Sequence, residues 1–217
     1  MGDDGIVGSL IQRKKKIIMM LQETSGLPRG YTKVDYIASD NGQYIDTGII
    51  GKNGVKSDIV FSFIEFPADG CVLGSRHINN RFYLLHYFNS HFAIGLGSFE
   101  PTTVSANLNT KYLVETDLTN RAHVFMKVDD RTILDLYSVQ NVNTNLSMYL
   151  CNMNDDGDGV FPTKVKLYSV RIWDNGELVR DYIPCTNPNN EAGMYDIVSK
   201  TFFSSLSGQS FSYGLLQ

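Results

Sequence analysis

From Tyr31 onward the chain runs in short stretches rich in Val, Ile, Tyr, Phe and Thr, many of them alternating apolar with polar positions, separated by Gly, Asn, Asp or Pro. "YTKVDYI", "QYIDTGI", "KSDIVFSFIEF", "NRFYLLHYF", "HFAIGLG", "TKYLVETDL", "HVFMKVD", "TILDLYS", "LSMYLCN", "TKVKLYSVRIW" and "GELVRDYIP" are typical. Period-two alternation places successive side chains on opposite faces of a strand, and this spacing of turns predicts an antiparallel sandwich or barrel. "YTKVDYI" and "QYIDTGI", with Asn41-Gly42 between them, are expected to be the first pair of strands. In "DIVFSFIEF" Ile59, Phe61 and Phe63 form one apolar set, and Val60, Ile64 and Phe66 form the other, which suits a strand covered on both faces. In "KVKLYSVRIW" the set Tyr168, Val170 and Ile172 contrasts with Ser169 and Arg171, so one side should face solvent or a groove.

Turn chemistry sharpens this pattern near the end of the chain. "DNG" at 174–176 predicts a two-residue hairpin turn, because Asn and Gly accept the positive φ such turns need. Pro184 should end the following strand, since it has no amide proton to give to a ladder. "GMYDIVSKTFF" at 193–203 reads as a further hairpin, with Asp196 satisfying turn amides rather than performing chemistry.

Residues 9–23 have helical rather than strand periodicity. Ser9 and Gln12 fit a capping box, and Leu10, Ile11, Ile17, Ile18 and Leu21 fall near one face. A helix this short is marginal alone in water, so it is expected to dock on the domain behind it, on copies of itself or on another protein. The alternative is a partly disordered leader between the joints "GDDG" and "TSGLPRG". "RKKKIIMML" imitates a signal peptide, but the apolar run is only Ile17 to Leu21 and Asp3 and Asp4 precede it, so neither an export signal nor a membrane span is read here. The expected division is a leader at 1–26 and one domain at 27–217.

Composition agrees with one all-β domain plus an appendage: 217 residues, 42% hydrophobic and 12% aromatic, are enough for a substantial core. A net charge of −4 and a pI near 5.5 argue against nucleic acid, whose phosphates demand a concentrated basic surface. Cys71, Cys151 and Cys185 form no CxxC pair, so they are expected to act as small buried hydrophobes.

The opening "LPRGYTKVDYIASDNGQYIDTGI" and the closing "KVKLYSVRIWDNGELVRDYIPCTNPNNEAGMYDIVSKTFFSS" resemble the two ends of LamG-like, concanavalin A-like jelly-roll domains found in phage virion proteins and in surface proteins of gut bacteria. The resemblance spans residues 27–213. It implies an all-β, two-sheet antiparallel jelly-roll sandwich, here preceded by the short N-terminal helix.

Some jelly rolls of this shape are glycoside hydrolases, whose acids line one strand face in a pattern such as Glu-x-Asp-x-Glu, with a retaining pair only about 5–5.5 Å apart. "VETDLTN" supplies Glu115 and Asp117 on one side of a strand, but Thr119 and Asn120 stand where the third acid belongs. An exposed polar face is the better account, and no catalytic residue is assigned. Calcium has one candidate loop, "NMNDDGDG", where Asn152, Asn154, Asp155, Asp156 and Asp158 offer hard oxygen ligands on a flexible turn. It resembles the front of an EF-hand loop without the closing Glu, since Thr163 and Val165 occupy the candidate places; a plain acidic loop is the alternative. His77, His86, His91 and His123 make no HxH or HExxH spacing and read as surface or half-buried histidines. There is no GxSxG, and "GLGSFEP" has no following helix or P-loop lysine. What remains is a binding surface, with Arg76, His77, Asn79 and Asn80 in "SRHINNR" and the acidic loop as candidate ligand groups. Trp173, at a strand end before a turn, reads as a packing residue rather than a sugar platform.

The resemblance, the detached helix and the missing signal peptide together lead to an expected phage virion structural protein: a fibre, spike or capsid-decoration component at the virion surface, assembled in the host cytoplasm. Its leader would anchor it to other virion proteins or bundle it into a homotrimer, and a host-surface glycan would be its external partner. The alternative is a carbohydrate-binding adhesin, with glycoside hydrolysis a distant third. No cofactor is required, calcium being the one candidate.

Overall fold

The computed structural model describes residues 26–40, 42–78 and 80–216. The expected helix at 9–23, with Leu10, Ile11, Ile17, Ile18 and Leu21, lies outside the described residues, as do Asn41 and Asn79. The described residues form 19 strands and no helix, arranged as two sheets. The first, 11-stranded sheet runs Arg131–Tyr137, His123–Val128, Tyr112–Asn120, Val55–Phe63, Val165–Asp174, Glu177–Thr186, Ala192–Asp196, Thr201–Phe203, with Thr32–Lys33, Tyr36–Ser39 and Ser212–Gly214 paired beside this path. The second, 8-stranded sheet runs Asp158–Val160, Met153–Asp155, Asp69–His77, Asn80–Phe88, His91–Leu96, Ser98–Pro101, with Asn143–Leu150 joining Asp69–His77 to Ile45–Lys52. Pairing is antiparallel except between Met153–Asp155 and Asp69–His77, which is parallel. This is the two-sheet sandwich that the strand pattern and the resemblance led one to expect.

The core lies between the sheets because each contributes one apolar face to it. Ile59, Phe61 and Phe63 of the first sheet and Leu84, Tyr87 and Phe92 of the second are fully buried in one cluster. Phe63 and Tyr87 meet across the interface with ring centroids 4.5 Å apart, and Phe92 lies 6.4 Å from Phe63. Cys71, Cys151 and Cys185 are buried free thiols, as expected. Burial pushes the thiols of Cys71 and Cys151 well up and that of Cys185 to about 12, so all three are neutral fillers.

The local turns follow the sequence. Asp174 pairs with Glu177 across Asn175 (φ 50°) and Gly176 (φ 85°), and Asp196 pairs with Thr201 in the hairpin after it. Asp196 is fully buried, and its carboxylate accepts hydrogen bonds from the amides of Asp181, Val198 and Ser199 and from the Ser199 hydroxyl.

Four expectations need correction. Tyr36–Ser39 and Ile45–Lys52 do not pair: the first lies beside Val165–Asp174, the second beside Asn143–Leu150 in the other sheet. The segment between them crosses from sheet to sheet, held by Ser39 donating to the Gln43 carbonyl and by the Asp40 amide donating to the Gln43 side chain. The Glu177–Thr186 strand continues through Pro184, because its ladder to Val165–Asp174 has ended at Tyr182 and Pro184 has no amide left to supply there. Tyr168 faces away from the core, because a register shift between Leu167 and Ser169 slips the alternation by one residue. Its ring packs on Tyr36 at 5.7 Å with the Lys111 ammonium 3.7 Å above it. In the Val55–Phe63 strand the core members are Val55, Ile59, Phe61 and Phe63; Val60 is half-buried, and Ile64 and Phe66 follow the strand's end, Phe66 partly buried against the core.

Candidate functional site

The same kind of slip builds a groove on the outer face of the second sheet. In Asp69–His77 both Val72 and Leu73 turn into the core, and in the neighbouring Asn80–Phe88 both Leu84 and Leu85 do so. The ladder between the strands shifts register at these residues. Asp69, Cys71 and Arg76 on one strand therefore share the outer face with Arg81, Tyr83, His86 and Phe88 on the other. Cys71, Tyr83 and Met153 form a small second apolar cluster there, with Phe99, Val160 and Phe161 packed on it. Gly95 makes this layer possible: a Cβ at that position would stand 2.3 Å from the Tyr83 ring, so only glycine lets the phenol lie against the sheet.

Two flanking segments wall the groove. Ser98–Pro101 folds back on His91–Leu96 and brings in Phe99; on the other side the Met153–Asp155 and Asp158–Val160 hairpin adds to the edge of Asp69–His77 and leads into Phe161. The space of this open groove is about 310 Å³. Arg76 and Arg81 line one end, and Asp69, His86 and Phe88 line the other, with Tyr83, Phe99 and Phe161 between and around them. A space of this size with aromatic walls and a few polar groups has the proportions of a small-ligand site.

The charges are unevenly committed. Both carboxylate oxygens of Asp155 accept from Arg76, with Nε 2.9 Å from Oδ1, and the guanidinium also lies over the Phe161 ring at 5.5 Å. This fork holds the Asp155 carboxyl below its usual value and pushes Arg76 up. Arg81 is the cross-strand neighbour of Arg76 and has no ion pair or side-chain hydrogen bond among the described residues. Burial pushes the Tyr83 phenol up to about 12, with Cys71 adding to it and Arg76 and Arg81 opposing, so it is a neutral hydroxyl at pH 7. His86 is 2% exposed, with Nε2 2.5 Å from Asp69 Oδ1 and its ring stacked on Tyr83 at 5.0 Å. Burial lowers its pKa and outweighs the attraction of Asp69, so the ring is neutral, donates from Nε2, and leaves Nδ1 without a partner among the described residues.

Of the residues singled out in the sequence, the structure brings Arg76 into the groove. His77 pairs with Asp156 at the hairpin end, and Asn80 is exposed; neither lines the groove. The acidic segment is not an open loop but a tight hairpin whose side chains face separate partners. Asn152 Oδ1 accepts from the Met153 amide, Asn154 accepts from the Gly157 amide and donates to the Ser147 carbonyl, and Asp158 is exposed. With Asp155 on Arg76 and Asp156 on His77, these oxygens do not converge, and no group of three or more His, Cys, Asp or Glu among the described residues is placed to hold a metal ion. Glu115 and Asp117 do share one face of a strand, on the far side of the sandwich from the groove, and Asp117 accepts from the Thr119 amide and hydroxyl. Trp173 is half-buried with the Lys56 ammonium 4.8 Å over its ring. His86, expected at or near the surface, is instead buried inside the groove wall. Arg81, Tyr83, Phe99 and Phe161 were not legible as site residues, since only the paired slip and the folded-back edge strands bring them together.

No protein-family model matches the sequence, and no curated protein does. Solved structures do match. A "putative carbohydrate binding protein" from Bacteroides ovatus superposes with a TM-score of 0.62 at 12% identity, over 84% of this chain and 60% of that one. The CBM40 of the Ruminococcus gnavus IT-sialidase gives 0.49 at 10% identity, over 66% and 90% of the two chains. Domains LG4-5 of the mouse laminin alpha1 chain give 0.42 at 15% identity, over 70% and 43%. This chain thus spans 60% of the length of the Bacteroides protein, and the likeness to it establishes the jelly-roll fold.

Proposed function

We propose that this chain is a non-catalytic carbohydrate-recognition module that holds a saccharide in the groove on its second sheet. The groove itself carries the reading: Phe99 and Phe161 offer faces and edges to the C–H surface of a sugar, Tyr83 offers a neutral hydroxyl, and Asp69, with about a third of its side chain exposed, offers acceptor oxygens. The shared fold with a Bacteroides ovatus protein described as carbohydrate binding supports the same class. Hydrolysis needs two carboxylates flanking one bond. Among the described residues Asp69 is the sole carboxylate lining the groove, Asp155 is taken up by Arg76, and Glu115 and Asp117 lie on the other sheet. The reading requires no cofactor.

Display on a virion and trimerisation through residues 9–23 are compatible with this role, but no observation among the described residues favours them over recognition alone. No helix among these residues is long and apolar enough to cross a membrane.

The test is titration calorimetry against a panel of plant, microbial and animal glycans. Saturable binding is expected, weakened at least tenfold in Phe99→Ala and Tyr83→Phe with the melting temperature of Tyr83→Phe unchanged. Absence of saturable binding across the panel, or release of reducing ends by the wild-type protein, would overturn the reading.

A further inference from the structure

Resting on that reading, the geometry points to a saccharide that bears a carboxylate, seated with the carboxylate on Arg81, as the ligand class of this groove. Arg76 and Arg81 are directly opposed on neighbouring strands and both line the same end of the space. Like charges in that relation are destabilising, and an anion between or beside them relieves the repulsion. Asp155 supplies the anion for Arg76, engaging its Nε and a terminal nitrogen in a two-pronged contact that leaves little for a second acid. Arg81 receives none: it has no carboxylate partner among the described residues, and one positive charge at that end is uncompensated.

The other charge of the groove cannot neutralise it. Asp69 stands seven residues from Arg76 along the same strand, at the opposite end of the groove, and it is already hydrogen-bonded to His86. The groove is therefore polarised, with a free guanidinium at one end and an acceptor carboxylate at the other. A planar guanidinium fork matches the two oxygens of a carboxylate better than it matches a single hydroxyl. The separation of the two ends suits an extended oligosaccharide: a uronic or other acidic sugar at Arg81, and neutral hydroxyls reaching Tyr83 and Asp69.

The experiment compares oligosaccharides of galacturonate, glucuronate and N-acetylneuraminate with their carboxyl methyl esters, which remove the charge and little else. The full chain should bind at least one acid form at least tenfold more tightly than its ester, and the preference should fall as ionic strength rises. Arg81→Gln should bring the ratio of acid to ester affinity close to one, and Arg81→Lys should restore only part of it. If acid and ester bind equally, or only neutral glycans bind, the inference is overturned while carbohydrate recognition stands. If neither acid, ester nor neutral glycan binds, carbohydrate recognition falls with it. Equal melting temperatures for the Arg81 variants and the parent keep a folding defect from imitating either result.

Discussion

At the scale of single residues, His86 gives the sharpest physical statement about the site. Its ring is enclosed by Tyr83, Phe99 and Phe161, and the groups that face it are the Asp69 carboxylate and the neutral Tyr83 phenol. Because burial lowers its pKa, the folded protein keeps the ring neutral where the unfolded chain, with a value near 6.5, takes up a proton. The unfolded state then binds more protons, so His86 contributes its full stability above about pH 6.5 and loses it as pH falls from there toward the lower folded value. An NMR titration should place the His86 midpoint below 6.5; a midpoint at or above it would show that Asp69, not burial, governs the ring. Gly95 is the second decisive residue. Gly95→Ala would drive a methyl into the Tyr83 ring, and the ring can move only into the groove. Glycan affinity should drop at least tenfold with stability changed far less, whereas unchanged affinity would mean that Tyr83 does not form the floor of the binding space.

At the scale of elements, the hairpin formed by Met153–Asp155 and Asp158–Val160 decides whether the groove has a second wall. It is held to Asp69–His77 by one parallel ladder, by the His77–Asp156 pair and by the Arg76 fork on Asp155, whose side chains are each about a quarter exposed. Asp155→Asn should cost about 1–2 kcal/mol, since a charge-assisted pair that is partly wet is worth less than a buried one. It should also speed hydrogen exchange at the Met153–Asp155 amides more than elsewhere; uniform exchange would show that the Arg76 fork does not hold the hairpin. This element also shows what a sequence reveals and what it conceals. The Asn175-Gly176 turn and the hairpin at 193–203 could be read in advance because positive φ and turn amides are properties of adjacent residues. The acidic run at 152–158 could be seen but not interpreted, because the partners of Asp155 and Asp156 are Arg76 and His77, some eighty positions earlier. The groove was the least legible part. Alternation in "NRFYLLHYF" predicts one set of outward residues, and the slip at Leu84 and Leu85, imposed by the matching slip at Val72 and Leu73, exchanges half of that set.

At the scale of the whole molecule, the two sheets are one cooperative body because neither has a core of its own of any size. The first sheet's outer face is half-exposed and charged around Lys56, Asp58, Glu115 and Arg171, and burial raises the Asp58 carboxyl there. Its inner face closes on the second sheet through Phe61, Phe63, Tyr87 and Phe92. The groove depends on that closure indirectly, since Leu84, Leu85 and Tyr87 must stay anchored inward for Tyr83, His86 and Phe88 to stay outward on the same strand. Phe63→Ala, outside the groove lining, removes the ring that joins the sheets and should destabilise the fold by about 3–5 kcal/mol. Thermal unfolding followed by aromatic circular dichroism and by a groove probe such as the His86 resonance should shift together to lower temperature in a single transition. Two separated transitions, with the groove signal surviving the first, would show that the second sheet and its binding face hold together without the first, and the sandwich would then be a mount for the site rather than part of it.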